Sequence, residues 1–450
     1  MSLQGISRAF RAQRLTQWQA WLERLVVWGA AVATGAVIVL FARAGDWAGE
    51  LFAHAQSLSP WAGLVITPLA GMLIIAISSR WFPGIQGSGI PQTIAALETK
   101  DGSLDRGRFL SLRIAFGKVW LGTLALAGGF SVGREGPSVQ IGASIMYAFR
   151  RLLPQGHSIR ASDMILAGGA AGIAAAFNTP LAGIVFAIEE LSRRFEQRTN
   201  GVLLTAIVLA GLVSISMQGN YLYFGHLTVT MIDHRIIWPV MVCGVVCGTA
   251  GAIMSRLMLY STTTWTGLFG RIRHGRPIVF AGICGLLVAI LGLMTHGEIH
   301  GSGYLTTQAI LNNDVVVEWY YAPAKLLAMV LSYFSGIPGG IFAPSLAIGA
   351  GIGNNLMPLF SDIAVAGSIY ALCMAAFMAG VTQAPITSFI IVMEMIDGHE
   401  MVLSLMAVTI LSSLIARIFS PPFYHTLAQA MALPSKPLAP PVVAPADRSL

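Results

Sequence analysis

The chain has 450 residues, 55% of them hydrophobic and only 10% charged, with 27 Lys+Arg against 20 Asp+Glu. Soluble domains carry about 25% charge, so a string of soluble domains is excluded. The tracts 51–79, 164–188, 199–232, 326–361 and 363–393 hold no Asp, Glu, Lys or Arg. A bilayer crossing needs about 20 predominantly apolar residues, so the chain reads as a polytopic membrane protein.

Residues 1–24 carry Arg8, Arg11, Arg14 and Arg24 among Phe10, Trp18, Trp21 and Leu22. This predicts a basic amphipathic helix on the membrane surface, on the cytoplasmic side by the positive-inside rule. No small-residue cleavage site follows its apolar stretch, so it is expected to be retained. Apolar segments follow at 25–42, 61–80, 109–132, 138–149, 162–177, 180–191, 201–217 and 236–255, then at 277–295, 323–335, 341–358, 364–380, 385–396 and 401–419. Several are too short to cross alone. The clusters Arg106–Arg108, Arg150–Arg151, Arg193–Arg198 and Arg271–Arg276 are expected in loops and helix ends. Residues 433–450 hold Pro434, Pro437, Pro440, Pro441 and Pro445, which predicts an extended, disordered tail with no soluble regulatory domain. Cys243, Cys247, Cys284 and Cys373 all lie in apolar runs and are read as packing residues. No basic run interleaves with aromatics, so nucleic acid is not an expected partner.

The 49 Gly and 21 Pro together exceed the usual share of about 12%. Broken helices around a covered cavity need such residues, whereas simple spans do not. Their placement also repeats. Gly87-Ser88-Gly89 recurs as Gly301-Ser302-Gly303, and Pro137-Ser138-x-x-Ile141-Gly142-Ala143 recurs as Pro344-Ser345-x-x-Ile348-Gly349-Ala350. Pro180 with Glu189 recurs as Pro385 with Glu394. The offsets are 214, 207 and 205 residues, in the same order. Two related halves are therefore expected, 25–217 and 234–432, with a site near the midplane where they meet. The repeat alone does not say whether the halves are inverted.

Three Gly/Pro-rich segments each open a helix: Gly87–Gln92, Gly133–Pro137 and Gly336–Pro344. Proline suits the first turn, and the N–H groups there are left for an anion, aided by the helix dipole. Glycines that only let helices pack closely are the alternative. Three such starts favour one anion site. Glu135, at the second start, is an acid within the membrane whose protonation could release it from a site it shares with an anion. A salt bridge to Arg134 is the competing role, weakened because adjacent side chains on a helix do not face each other. Glu189 is paired with Glu394 by the repeat, which suggests a shared structural role such as capping. Glu190 faces Met395 in the repeat, so it is either a proton acceptor used by one half or a surface acid beside Arg193 and Arg194.

GSGIPQ, GREGP and GGIFAP, in this order and spacing, resemble the CLC chloride channel and transporter family from about Val26 to Ala430. The resemblance implies an all-α polytopic fold of two inverted repeats with broken, tilted helices, assembled as a homodimer with a separate pore in each subunit. It implies anion binding by Ser88, by the amides of Ile341 and Phe342, and by the hydroxyl of Tyr424. It implies a gating role for Glu135 and proton transfer by Glu190, an acid that channel members replace. Chloride and protons are then the expected substrates, with no cofactor, no metal and no enzymatic activity. The expected location is a bacterial inner membrane with a cytoplasmic N-terminus. Two departures stand out: Gln92 where many members have Glu, and the Pro421-Pro422 and His425 that flank Tyr424. Ser88 argues against the fluoride-exporting and nitrate-preferring types. Proton-coupled chloride antiport is the leading expectation, and a passive chloride channel of the same fold is the alternative. The stretch His296-x-Glu298-x-His300 lacks the one-face spacing of a zinc-protease helix and reads as a polar interfacial loop.

Overall fold

The computed structural model describes residues 18–99, 106–192, 200–219, 222–225, 227, 234–263, 268–312 and 314–432. The predicted surface helix 1–24 therefore lies largely outside the described residues, and its last residues run unbroken into the first helix. The Pro-rich tail and the whole 193–198 cluster also fall outside them. The main helices of the first half are α1 (Trp18–Leu58), α2 (Gly63–Trp81), α3 (Ile90–Glu98), α4 (Leu112–Ala127), α5 (Glu135–Phe149), α6 (Ala161–Phe177), α7 (Pro180–Phe186) and α8 (Asn200–Gln218). Those of the second half are α9 (Ile237–Thr263), α10 (Pro277–Met294), α11 (Tyr304–Leu311), α12 (Tyr321–Phe334), α13 (Phe342–Leu356), α14 (Ala366–Thr382), α15 (Pro385–Ile396), α16 (Val402–Phe419) and α17 (Phe423–Ala432). Among the described residues, seven helices are long and apolar enough to span a membrane, and several others are too short.

The apolar segment predicted for 25–42 extends further, because α1 does not stop at Arg43. Arg43 donates to the Met217 carbonyl and Asp46 pairs with Arg134, so these charges face protein partners that hydropathy cannot anticipate. The 109–132 segment is shorter as a helix: α4 ends at Ala127, and the chain turns through Gly129 in the left-handed region (φ 74°).

The core explains the short helices. Residues Asp163–Phe177 of α6 and Gly367–Thr382 of α14 are all buried, as expected for helices that are apolar all round. Each has 17 residues, giving a length of about 26 Å, short of a bilayer core of about 30 Å. Each stops at a left-handed residue, Asn178 (φ 57°) or Gln383 (φ 61°), and a proline two residues later opens the next helix. That sequence of left-handed cap and proline ends one helix and starts the next within the buried core.

Helix neighbours repeat along with the motifs. α5 packs on α6 as α13 packs on α14, α1 packs on α8 as α9 packs on α16, and α4 packs on α5 as α12 packs on α13. The crossings are made by glycine: Gly142 lies against the Gly168 carbonyl, and a methyl on Gly349 would sit 2.6 Å from the Cys373 carbonyl oxygen. Close helix packing is thus one true role of the Gly surplus. The halves join where α2 meets α10 and α7 meets α15. A third junction is backbone: Gly133 and Gly340 exchange N–H···O bonds of 2.8 and 2.6 Å, an antiparallel bridge that sets the starts of α5 and α13 head to head. The fold is all-α, with two inverted repeats.

The predicted capping role of Glu189 and Glu394 takes a reciprocal form. Glu189 accepts from the amides of Ile386 and Thr387 (3.1 and 2.6 Å), at the start of α15. Glu394 accepts from those of Leu181 and Ala182 (3.1 and 2.7 Å), at the start of α7. Each carboxylate caps the other half's proline-started helix, where the amides have no intrahelical partner. Arg106 does the converse, donating to Ala96 and Thr99 carbonyls at the end of α3. All four cysteines are buried and free, consistent with packing.

Candidate functional site

The site is built where the three Gly/Pro-rich loops meet. The first loop turns through Gly84, Gly87 and Gly89, all with positive φ, and Gly89 (φ 99°) caps α3. A methyl on Gly89 would also lie 2.7 Å from the Gln140 β-carbon, so no larger residue fits there. The loop's carbonyls turn inward and are collected by Lys118, whose Nζ donates to Ile85 and Gly87 at 2.7 and 2.8 Å. The amide of Gln92 donates to the Gln86 carbonyl at 2.6 Å. An ionised Glu, common at this position in the family, could not make that bond, so Gln92 here is a brace for the loop. The equivalent loop in the second half has the same cation: Lys325 donates to Ile299 and Gly301 at 2.8 and 2.9 Å. Both lysines are fully buried, and such a charge is tolerated only with satisfied donors.

These loops bring Ser88, Gly136 and Gly340 into contact. A methyl on Gly136 would meet the Ser88 hydroxyl, and would lie 3.2 Å from both the Ser88 carbonyl and the Gly340 α-carbon. Ile341 is the N-cap of α13 and Phe342 its first residue. Their amides belong to the group that a helix leaves without intrahelical acceptors. The Phe342 ring packs edge-on against Tyr424 at 5.9 Å between centroids. The hydroxyls of Ser88 and Tyr424 face each other, are buried, and complete no hydrogen bond. Buried orphan hydroxyls require a reason. Two of them beside the amide end of a helix can both donate to one anion.

Glu135 is fully buried. Its carboxyl reaches out of its own half toward the start of α13: a methyl on Gly133 would meet Oε2 and lie 3.1 Å from Pro344 Cδ and 3.5 Å from the Ala343 β-carbon. Amides of Glu135, Ala343 and Arg134 face the carboxyl, while Oε2 closes no hydrogen bond. The acid and the orphan hydroxyls thus address one helix end. Arg134 is occupied elsewhere, bonding Asp46 and the Ala42 carbonyl, both at 2.6 Å. Tyr223, which sequence reasoning missed, places its hydroxyl 3.5 Å from Glu135 Oε1.

Glu190 is buried, on a π-helical turn, Ala187–Ser192, that continues α7. The turn packs on α3, α6 and α15, so this acid is not on the surface. His425 Nε2 lies 3.0 Å from its carbonyl oxygen and 3.7 Å from Oε1. Between the two acids stand packed rings: Tyr223 on Phe177 (5.7 Å), Phe177 on Phe342 (6.2 Å), Phe186 on Phe342 (6.1 Å), then Tyr424. A cavity of about 280 Å³ reaches Ser88 past Gln92, Arg273, Tyr333 and Phe423. Another of about 500 Å³ reaches Arg134, next to Glu135, past Asp46, Glu298, His300 and Tyr304. The predicted residues are therefore gathered around one point between two cavities, with Glu190 set behind aromatic side chains. His300 of the H-x-E-x-H stretch bonds the Gly129 carbonyl at 2.5 Å and packs on Phe52, in a loop turning through His296 (φ 52°).

Lys118 and Lys325 stand 207 residues apart, the offset of Pro137 and Pro344, a repeat signal present in the sequence; Lys325 is the one charge in 323–335, whereas Lys118 shares 109–132 with Arg113. Tyr223 and His425 carried no such signal.

Residues 70–417 match the family described as voltage gated chloride channel. The chain is 30% identical over 422 residues to the H(+)/Cl(-) exchange transporter ClcA of Salmonella agona (strain SL483), covering 88% of this chain and 85% of that one. It is 29% identical over 418 residues to the protein of the same name from Klebsiella pneumoniae subsp. pneumoniae, covering 88% and 86%. Among solved structures it is similar to a slow cyanobacterial Cl-/H+ antiporter (TM-score 0.79, 23% identity, 91% of this chain and 97% of that one). It is also similar to a CLC-type fluoride/proton antiporter (TM-score 0.73, 24% identity, 90% and 96%). At those identities the solved structures speak for the fold alone. The motif resemblance and the family match agree over most of the chain, which belongs to the voltage gated chloride channel family.

Proposed function

We propose that the protein is a secondary active transporter that exchanges chloride for protons across the membrane. The observation that carries this reading is the pair of buried, unbonded hydroxyls of Ser88 and Tyr424 at the amide end of α13, with the Glu135 carboxyl lodged on that same end. Ser88, Tyr424 and the amides of Ile341 and Phe342 hold the anion. Ionised Glu135 competes with it for the helix end, and protonation removes the charge that holds the carboxyl there. Glu190 is the second proton station, buried and separated from Glu135 by the rings of Phe177, Phe186 and Phe342. That partition lets chloride leave through the Ser88 cavity while protons take a different route. A passive channel would have no use for a buried acid at Glu190, and the similarity to H(+)/Cl(-) exchange transporters favours exchange.

The repeat units are 25–217 and 234–432. The working assembly is a homodimer in a bacterial inner membrane, N-terminus cytoplasmic, with transport and no catalysis. The test is substitution in proteoliposomes. E135A keeps chloride flux and loses its coupling to protons, whereas E190A loses proton flux and keeps chloride flux. Proton transport surviving in E190A would sink the assignment.

A further inference from the structure

We propose that His425 is the proton-relay residue that charges and discharges Glu190, so that α17 serves both substrates from adjacent positions. The inference deepens the proton-coupled reading above and rests on it.

Tyr424 and His425 are consecutive on the first turn of α17. Successive side chains on a helix diverge by about 100°, so one turn presents a hydroxyl to the anion site and an imidazole to Glu190. The contact is close on both counts. Nε2 lies 3.0 Å from the Glu190 carbonyl oxygen, which fixes the ring, and 3.7 Å from Oε1. The second distance exceeds a hydrogen bond by less than 1 Å, and such contacts are often long in the resting state. His425 and Glu190 are 8% and 4% exposed, so bulk water does not reach the acid freely. Imidazole is the one side chain whose ordinary pKa, about 6.5, lets it take and give protons near neutrality.

The step balances as a proton transfer. Imidazolium gives the Nε2 proton to a Glu190 carboxylate oxygen and is left as neutral imidazole. The neutral ring keeps its Nδ1 proton and regains one at the vacated Nε2 from the aqueous side, and the reverse sequence discharges the acid. No oxidant, metal or covalent intermediate is involved. The competing role for His425 is purely structural: a donor that ties the Glu190 carbonyl in the π turn to α17.

Glutamine and asparagine separate the two roles, because an amide N–H can satisfy the carbonyl but cannot carry a proton. H425Q and H425N are reconstituted in liposomes beside the parent and E190A, and chloride and proton fluxes are measured together. Chloride flux stays within about two-fold of the parent, and proton flux falls by at least about 100-fold, the low end of what a positioned acid–base group contributes. The double variant H425Q/E190A loses no more proton flux than E190A alone. Parental proton flux in H425Q overturns the proposal, as does loss of both fluxes in both amide variants, which would assign His425 to holding α17. A parent that moves chloride without protons fails the antiport reading itself, and the relay falls with it; that outcome is read before any variant is compared.

Discussion

Gly136→Ala tests the anion site without touching any residue assigned to hold the ion. Gly136 is the second residue of α5. An added methyl would lie 3.2 Å from the Ser88 carbonyl oxygen and from the Gly340 α-carbon, and closer still to the Ser88 hydroxyl. The backbone neighbours are fixed by the paired bonds between Gly133 and Gly340, so the hydroxyl is the group that yields. Turned away, it would no longer donate to an anion held as proposed. A hydrogen bond to a charged partner contributes about 1.5–3 kcal/mol, so chloride should bind about 10- to 150-fold more weakly. S88A removes the same donor and should cost a similar amount. The double variant should cost no more than either single one, since both changes delete one contact. Gly49→Ala is the control, because nothing lies within 4 Å of its added methyl. Chloride titration calorimetry on detergent-solubilised protein reads all four variants. Parental affinity in G136A, or additive losses in the double variant, would refute the geometry.

Glu189→Ala and Glu394→Ala each remove a carboxylate that accepts two amide bonds across the halves, and each should lower the unfolding free energy in mixed micelles by about 2–4 kcal/mol. The Gln variants keep one acceptor oxygen and should lose about half as much; equal stability of parent and Ala variants would contradict the reciprocal caps. Lys118→Met and Lys325→Met both leave inward carbonyls unpaired and should both destabilise, by about 1–3 kcal/mol per orphaned group. Only Lys118→Met should also weaken chloride binding, because the loop it braces carries Ser88, and equal chloride affinities in the two variants would break that link.

Much of this was legible in the sequence because its signals are local or periodic. The missing charge announced the membrane, and the offsets joining Pro137 to Pro344 and Glu189 to Glu394 announced two halves. The motifs located Ser88, Glu135, Ile341 and Phe342 because a helix start needs its glycines and proline in fixed order. The reciprocity of Glu189 and Glu394 was not legible, since a capping acid normally serves its own neighbourhood and these reach into the opposite half. Hydropathy ended the first apolar segment at Arg43 because it reads charge without knowing which charges face protein. Tyr223 and His425 are single residues outside the repeat, brought to Glu135 and Glu190 by tertiary packing alone. For Glu190 the residue pattern left two roles open, and burial on the π turn removes the surface one.

Proton movement driven by chloride tests coupled exchange most directly. Proteoliposomes loaded with high chloride are diluted into low chloride under weak buffering, and external pH is followed as chloride leaves. With coupled exchange, protons enter against their own gradient while chloride exits, and an uncoupler abolishes the pH change without stopping chloride. Chloride efflux with no proton uptake would contradict it and leave a passive channel on the same fold.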